Sequence, residues 1–256
     1  MNKSEPVIKN LYNEKLDTWV EEPAGVVKAT VVMVHGFGTS KHETAGYFDD
    51  ISTALTNDNF RVVRFDLSGY GNSEGREENA CYSKHIVDLK CVVDWVKSNF
   101  QSPIYIFAQS MGCWVTALAN PDSITKTIMT GVPNSNPEIV IKRVKERFGS
   151  RSGAILNLDG ISLLPRSTGK IQKIGSQFWL DIKNIEPTKI VADYSKKTKL
   201  LIIHWESDEI IGKDYLDEYD NITTLKSMWL PGDHSVTNQG DRGNFIKKML
   251  MFYNQS

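Results

Sequence analysis

Little in this 256-residue chain points toward a membrane, a nucleic acid or a metal. It has 3 cysteines, Cys81, Cys91 and Cys113. An odd number with no metal-ligand spacing argues against both a disulfide framework and a zinc site, and reads as free thiols in a reducing compartment. Met1–Pro6 contain no apolar h-region, so no signal peptide is expected and the predicted location is cytoplasmic. No run of about 18 or more apolar residues occurs, which predicts no membrane span. The formal net charge is -1. No basic run stands out, so neither nucleic acid nor an anionic membrane surface is an expected partner. Gly69, Gly71 and Gly75 match a phosphate motif only by chance, since no helix opens on them, and no dinucleotide fingerprint is present. No cofactor is expected.

What is there suits one α/β domain. Hydrophobic residues make up 40% and charged residues 24%, ordinary for a globular chain of this length. Strand-like and helix-like runs alternate from Thr30 onward, which predicts a mostly parallel sheet with helices on both faces. Strands are expected at Thr30–Val34, Arg61–Phe65, Lys126–Thr130, Lys199–Trp205 and Thr224–Leu230. Helices are expected at Tyr47–Thr56, through Ile86, Leu89, Val92, Val93 and Val96 to near Phe100, and at Asn244–Phe252. An opening hairpin is predicted from Val7–Tyr12 and Leu16–Val20. Pro133–Ser195 breaks the rhythm, mixing charge, Gly/Ser breaks and apolar patches.

The most informative stretch is Ala108-Gln109-Ser110-Met111-Gly112. It follows the apolar run Ile104–Phe107 and leads at once into the helix-like run Cys113–Ala119. A strand that stops at a serine and turns directly into a helix has the geometry of a nucleophile elbow, with small residues two before and two after the serine. Cys113 lies near this serine but falls in a helix start, where it is read as packing against the sheet.

A serine hydroxyl needs a base, and five histidines compete. His35 lies in a glycine-rich loop and is read as structural, His204 sits inside an apolar strand, and His42 and His85 are read as sitting on polar, exposed helices. His234 alone stands in a loop after the last strand-like run, with Gly232 freeing the turn. The acid that orients it has candidates in Glu206, Asp208 and Glu209, just past the Lys199–Trp205 strand. Asp233 is read as a turn-former. Val31–Val34 ends in His35-Gly36-Phe37-Gly38, where glycines allow a backbone N–H to turn into a cavity as an oxyanion hole requires. Met111 N–H and Phe37 N–H are the expected donors.

Serine, acid and histidine thus occur in the chain order of an α/β-hydrolase triad. On these four motifs the chain resembles the α/β-hydrolase serine esterases of the cinnamoyl (feruloyl) esterase and monoacylglycerol-lipase type, from Val26 to the C-terminal helix. Asp66–Gly75 adds to the likeness, resembling the loop after the fourth strand; Asp66 itself is read as a loop brace. The resemblance implies the α/β-hydrolase fold, with a core at 1–132 and 196–256 and a cap over the active site at 133–195. It implies a serine carboxylesterase with catalytic Ser110, Asp208 (in the pattern Asp-x-Ile-Ile) and His234. Its expected substrate is a small-molecule ester of small to medium acyl or aryl type, contacted by Phe178 and Trp179 of the cap. Ala108, Trp205 and Gly212 depart from the usual residues without removing a catalytic atom. The same triad is compatible with monoacylglycerols, amides or peptides, thioesters or carbon–carbon bonds, and the fold also serves non-catalytic receptors. A monomer or homodimer is expected.

Overall fold

A computed structural model describes residues 2–255. The chain opens with short strands, β1 (Asn2–Ser4), β2 (Ile8–Lys9) and β3 (Lys15–Leu16), followed by β4 (Thr18–Glu22). The predicted opening hairpin is smaller than expected: only Ile8↔Leu16 and Lys9↔Lys15 pair. Asn10 explains this, because its Oδ1 accepts the Tyr12 and Glu14 N–H groups and turns the chain early. β4 then leaves to pair antiparallel with β1 and with β6 (Arg61–Phe65).

β5 (Thr30–Val34) and β7 (Ile104–Gln109) are buried at every position, as strands covered on both faces must be. With β8 (Ile124–Thr130), β11 (Lys199–Trp205) and β12 (Lys226–Leu230) they complete a sheet that, among the described residues, has eight strands in the order β1-β4-β6-β5-β7-β8-β11-β12. From β6 to β12 all neighbours are parallel. The chain passes from β5 to β6 on one side and returns to β7 on the other. The loops leaving β5 and β7 therefore diverge at a topological switch point, where a crevice forms outside the carboxyl ends of the strands.

Helix α1 (Tyr47–Asn57) covers one face together with the C-terminal helix. α2 (Tyr82–Asn99), α3 (Met111–Ala119) and α6 (Pro187–Ser195) cover the other. α2 buries His85, Leu89, Val92, Val93 and Val96 at helical spacing. The expectation that His85 is exposed fails for this reason. It stands one turn before Leu89 on the same stripe and is fully buried, with Nε2 3.2 Å from the Ser68 carbonyl.

The segment that interrupts the rhythm has structure of its own: α4 (Pro137–Gly149), the hairpin β9 (Ser162–Pro165) and β10 (Ile171–Ile174), and α5 (Ser176–Asn184). Asn136 caps α4 by accepting the Glu138 N–H, and Pro137 fills the first helical turn. α6 does not belong with them. It packs on α3, buries Val191 and Tyr194 in the sheet-facing core, and Tyr194 hydrogen-bonds Thr127 of β8 at 2.7 Å. It is an ordinary crossover helix, so the excursion ends near Ile185 and not at Ser195. Helices α7 (Asp217–Asp220) and α8 (Gln239–Asn254) close the chain.

Candidate active site

Ser110 sits between β7 and α3 with φ 53° and ψ −123°. A non-glycine residue held there costs about 1–3 kcal/mol and persists only where its surroundings enforce it. Here they do: the Ser110 N–H bonds the Thr130 carbonyl at 2.9 Å, and the Cys113 N–H bonds the Ser110 carbonyl at 2.9 Å. Gly112 is required because a Cβ there would lie 2.4 Å from the Val34 carbonyl oxygen and 2.8 Å from that of His35. Ala108 is completely buried. Met111 is the first residue of α3, so its N–H has no helical acceptor and is free to meet an anion. Cys113 is buried, with Sγ 3.4 Å from the Ala108 and Thr130 carbonyls. Burial pushes its thiol well above the usual range, which makes it a poor nucleophile.

His234 lies in the loop after β12, its Nδ1 2.7 Å from Asp208 Oδ2. Asp208 Oδ1 accepts the Ile210 and Ile211 N–H groups at 3.0 and 2.9 Å. With both oxygens engaged, the carboxylate is fixed in one orientation. Nδ1 must carry the proton to pair with it, leaving Nε2 able to accept one. Glu206 and Glu209 point outward and are exposed. Asp233 Oδ1 accepts the Ser235 and Thr237 N–H groups at 3.0 Å each, a turn brace. Two residues that sequence reasoning missed steady the histidine. Gly131 has φ 56° and passes so close that a Cβ would lie 2.9 Å from His234 Cε1. Gln109 donates from Nε2 to the His234 carbonyl at 2.7 Å, while its Oε1 accepts from Thr130 Oγ1. Nothing in the local pattern marks either, because their partner is 103 or 125 positions further along the chain.

Trp205 is buried and meets Phe245 of the C-terminal helix edge-on at 5.3 Å. His204 is also buried, 4.9 Å from the Trp229 ring, and burial lowers its pKa. Asp66 braces its loop, accepting the Lys41 N–H at 2.6 Å and the Asn72 N–H at 2.8 Å.

The loop after β5 forms the facing wall. His35 Nε2 accepts the Leu67 N–H at 3.0 Å and Nδ1 lies 2.8 Å from the Gly36 carbonyl, so the ring ties this loop to the one that follows β6. Glu43 was not anticipated. Its Oε1 accepts from the Gly36 N–H and from Thr39 Oγ1, and it lines the same pocket as Ser110 and His234. That pocket has about 160 Å³ of free volume. Its aromatic wall is Phe37, Phe178 and Tyr82: Phe178 lies 5.0 Å from Phe37 and stacks on Tyr82 at 5.5 Å. Trp179 does not line it. Successive helical residues point about 100° apart, and Trp179 turns into the interior of the excursion, where Nε1 donates to Ser162 Oγ at 3.2 Å. Its expected substrate contact is corrected to a packing role. Among the described residues no three His, Cys, Asp or Glu side chains are grouped to hold a metal ion, and no helix is long and apolar enough to cross a membrane.

A mostly parallel sheet flanked by helices, with a strained serine at the switch point, defines an α/β-hydrolase fold. The chain belongs to the Hydrolase_4 family, serine aminopeptidase S33, whose model matches residues 25–152. Its fold is that of Est1E from Butyrivibrio proteoclasticus, solved with ferulic acid bound (20% identity over 97% of this chain and 99% of the other, TM-score 0.76). It is similar also to the esterase domain of a Rhodothermus marinus protein (18%, 98% and 98%, 0.73). A third likeness is to the Pyrococcus furiosus esterase Pf2001 (18%, 98% and 89%, 0.72). No curated protein matches the chain by sequence.

Proposed function

We propose that the protein hydrolyses carboxylic esters through an acyl-enzyme on Ser110. The observation that carries this reading is the strained Ser110 in one pocket with His234, whose Nδ1 is 2.7 Å from Asp208. His234 takes the proton of Ser110 Oγ as it attacks the ester carbonyl, and Asp208 stabilises the imidazolium. The N–H groups of Met111 and Phe37 bond the oxyanion, each worth about 3–4 kcal/mol in comparable sites. The tetrahedral intermediate collapses as His234 protonates the leaving alcohol. Water, activated by the same histidine, then releases the acid and restores the serine.

The Phe37–Phe178–Tyr82 wall favours flat apolar groups, so aryl or cinnamoyl-type esters and small to medium acyl chains are the proposed substrates. Residues 133–185 are the proposed cap. Labelling with a fluorophosphonate probe tests the nucleophile: an adduct on Ser110 is expected, and Ser110→Ala is expected to keep less than about 1% of ester hydrolysis. An unlabelled Ser110, or hydrolysis surviving in Ser110→Ala, overturns the reading. The aminopeptidase description of the family supports a second reading, the same triad acting on amides. Turnover of aminoacyl anilides without turnover of phenyl esters would favour it.

A further inference from the structure

One side of the pocket is lined by arginines, two of which have no carboxylate of the described residues within ion-pair distance. Arg147 makes no ion pair with any described residue, and neither does Arg166. Arg166 reaches only carbonyls, Nη2 lying 3.3 Å from Phe37 O and 3.2 Å from Gly38 O. Its Nη1 is buried with no hydrogen-bond partner. A third lining arginine, Arg143, is paired with Asp214 at 2.7 Å. The guanidinium carbons of Arg147, Arg151 and Arg166 lie 5.3, 5.0 and 5.4 Å from the ring centroid of the buried Phe148. Among the described residues Glu43 is the one carboxylate lining the pocket; it attracts Arg166 from a distance without pairing with it, and its Oε1 is taken by the Gly36 N–H and Thr39.

Like charges gathered around one ring repel each other, and withdrawing them from water adds a desolvation penalty that only a counter-ion offsets. In keeping with this, partial burial and the neighbouring Arg166 and Arg151 push the Arg147 guanidinium down to about 10. A ligand can supply the missing anion. A guanidinium's planar fork matches an oxyacid group, and its contact with the Phe37 carbonyl sets Arg166 beside the loop that faces Ser110.

We propose that the substrate carries an ionised oxyacid group, a carboxylate or a phosphate, seated by Arg147 and Arg166 while its ester lies at Ser110. This rests on the esterase reading for the ester, and on the pocket alone for the anion. The substrate is then an amphipathic hemi-ester, its flat apolar part against Phe37 and Phe178 and its charge against the arginines.

Calorimetry on Ser110→Ala tests the anion site without turnover. The ligands are monophenyl succinate, its neutral methyl ester, and a phosphate-bearing phenyl ester of the same length. Binding of one anionic ester about tenfold tighter than the neutral one is expected, and the tighter arm names the oxyacid. That preference should shrink with added salt and fall several-fold in Arg147→Gln and Arg166→Gln, while Arg147→Lys retains most of it. If Arg166→Gln does not fold, Arg147→Gln carries the comparison. Equal affinity for charged and neutral esters, or a preference untouched by either substitution, overturns the proposal. Hydrolysis by the wild-type protein is read separately. No turnover of any of the three esters removes the esterase reading, and the affinities still decide the anion site.

Discussion

Gly112 has no room for a side chain, and that single fact ties the serine to the sheet. With the Val34 carbonyl 2.4 Å from where a Cβ would stand, Gly112→Ala must push α3 away from β5. A loss of about 1–3 kcal/mol is expected, a fall of several degrees in Tm for a chain of this size. Ester hydrolysis should drop more steeply than stability, because Met111, the proposed oxyanion donor at the start of α3, moves with the helix. Asp208 acts differently. Asp208→Asn leaves the geometry nearly intact but favours the wrong histidine tautomer, and a fall of about 10⁴ in kcat with little change in Tm is expected. Gln109 is a positioning residue. Gln109→Glu replaces the donor to the His234 carbonyl with an acceptor, so kcat should fall about tenfold or more with KM nearly unchanged; an unaltered kcat would show that the loop holds itself. Ser110 and His234 were legible because each carries a local signature, a small-x-Ser-x-Gly turn and a loop after the last strand. Glu43, Gln109 and Arg166 were not. Their roles come from partners on other strands and loops, and neighbours in sequence say nothing of them.

At the scale of elements, the excursion after β8 separates pattern from placement. Its apolar residues indicated that part of it covers something, but whether a given ring faces the cavity or the interior depends on helix rotation. Phe178 and Trp179 are adjacent on α5, yet only Phe178 lines the pocket while Trp179 turns into the interior of the excursion. Phe178→Ala is expected to change kcat/KM between aryl and short alkyl esters by about 1–3 kcal/mol of discrimination. Trp179→Ala, which empties a fully buried site, is expected to cost about 3–5 kcal/mol of stability and to lower all substrates alike. A Trp179→Ala protein with normal Tm and altered selectivity would reverse these roles. α6 shows the opposite limit. Its sequence follows the excursion without a marked break, and only its packing on α3 assigns it to the central body.

Across the whole molecule, two apolar clusters lie on opposite faces of one sheet, and the buried polar groups couple its stability to pH. Burial holds the His85 imidazole at about 3, below the usual 6.5; burial lowers His204 in the same direction. Between those values the unfolded chain takes up a proton that the folded one refuses. Stability from His85 is therefore full above about pH 6.5 and is lost as pH falls toward 3, by up to about 1.4 kcal/mol per unit. Urea midpoints at pH 7 and pH 5 should differ in the wild type and differ less in His85→Gln; an equal pH dependence in both would remove His85 as the cause. The sequence by itself determined the fold class, the strand and helix positions of the sheet, and the serine–acid–histidine order. Each of those is written in local periodicity and turn chemistry, where a residue's neighbours in the chain decide its conformation. Only the tertiary structure decided which carboxylate of the Glu206–Glu209 loop turns inward, which ring of the excursion lines the pocket, and that arginines without an ion pair line the same pocket as the serine. Those are relations between segments distant in sequence, set by packing and charge across space.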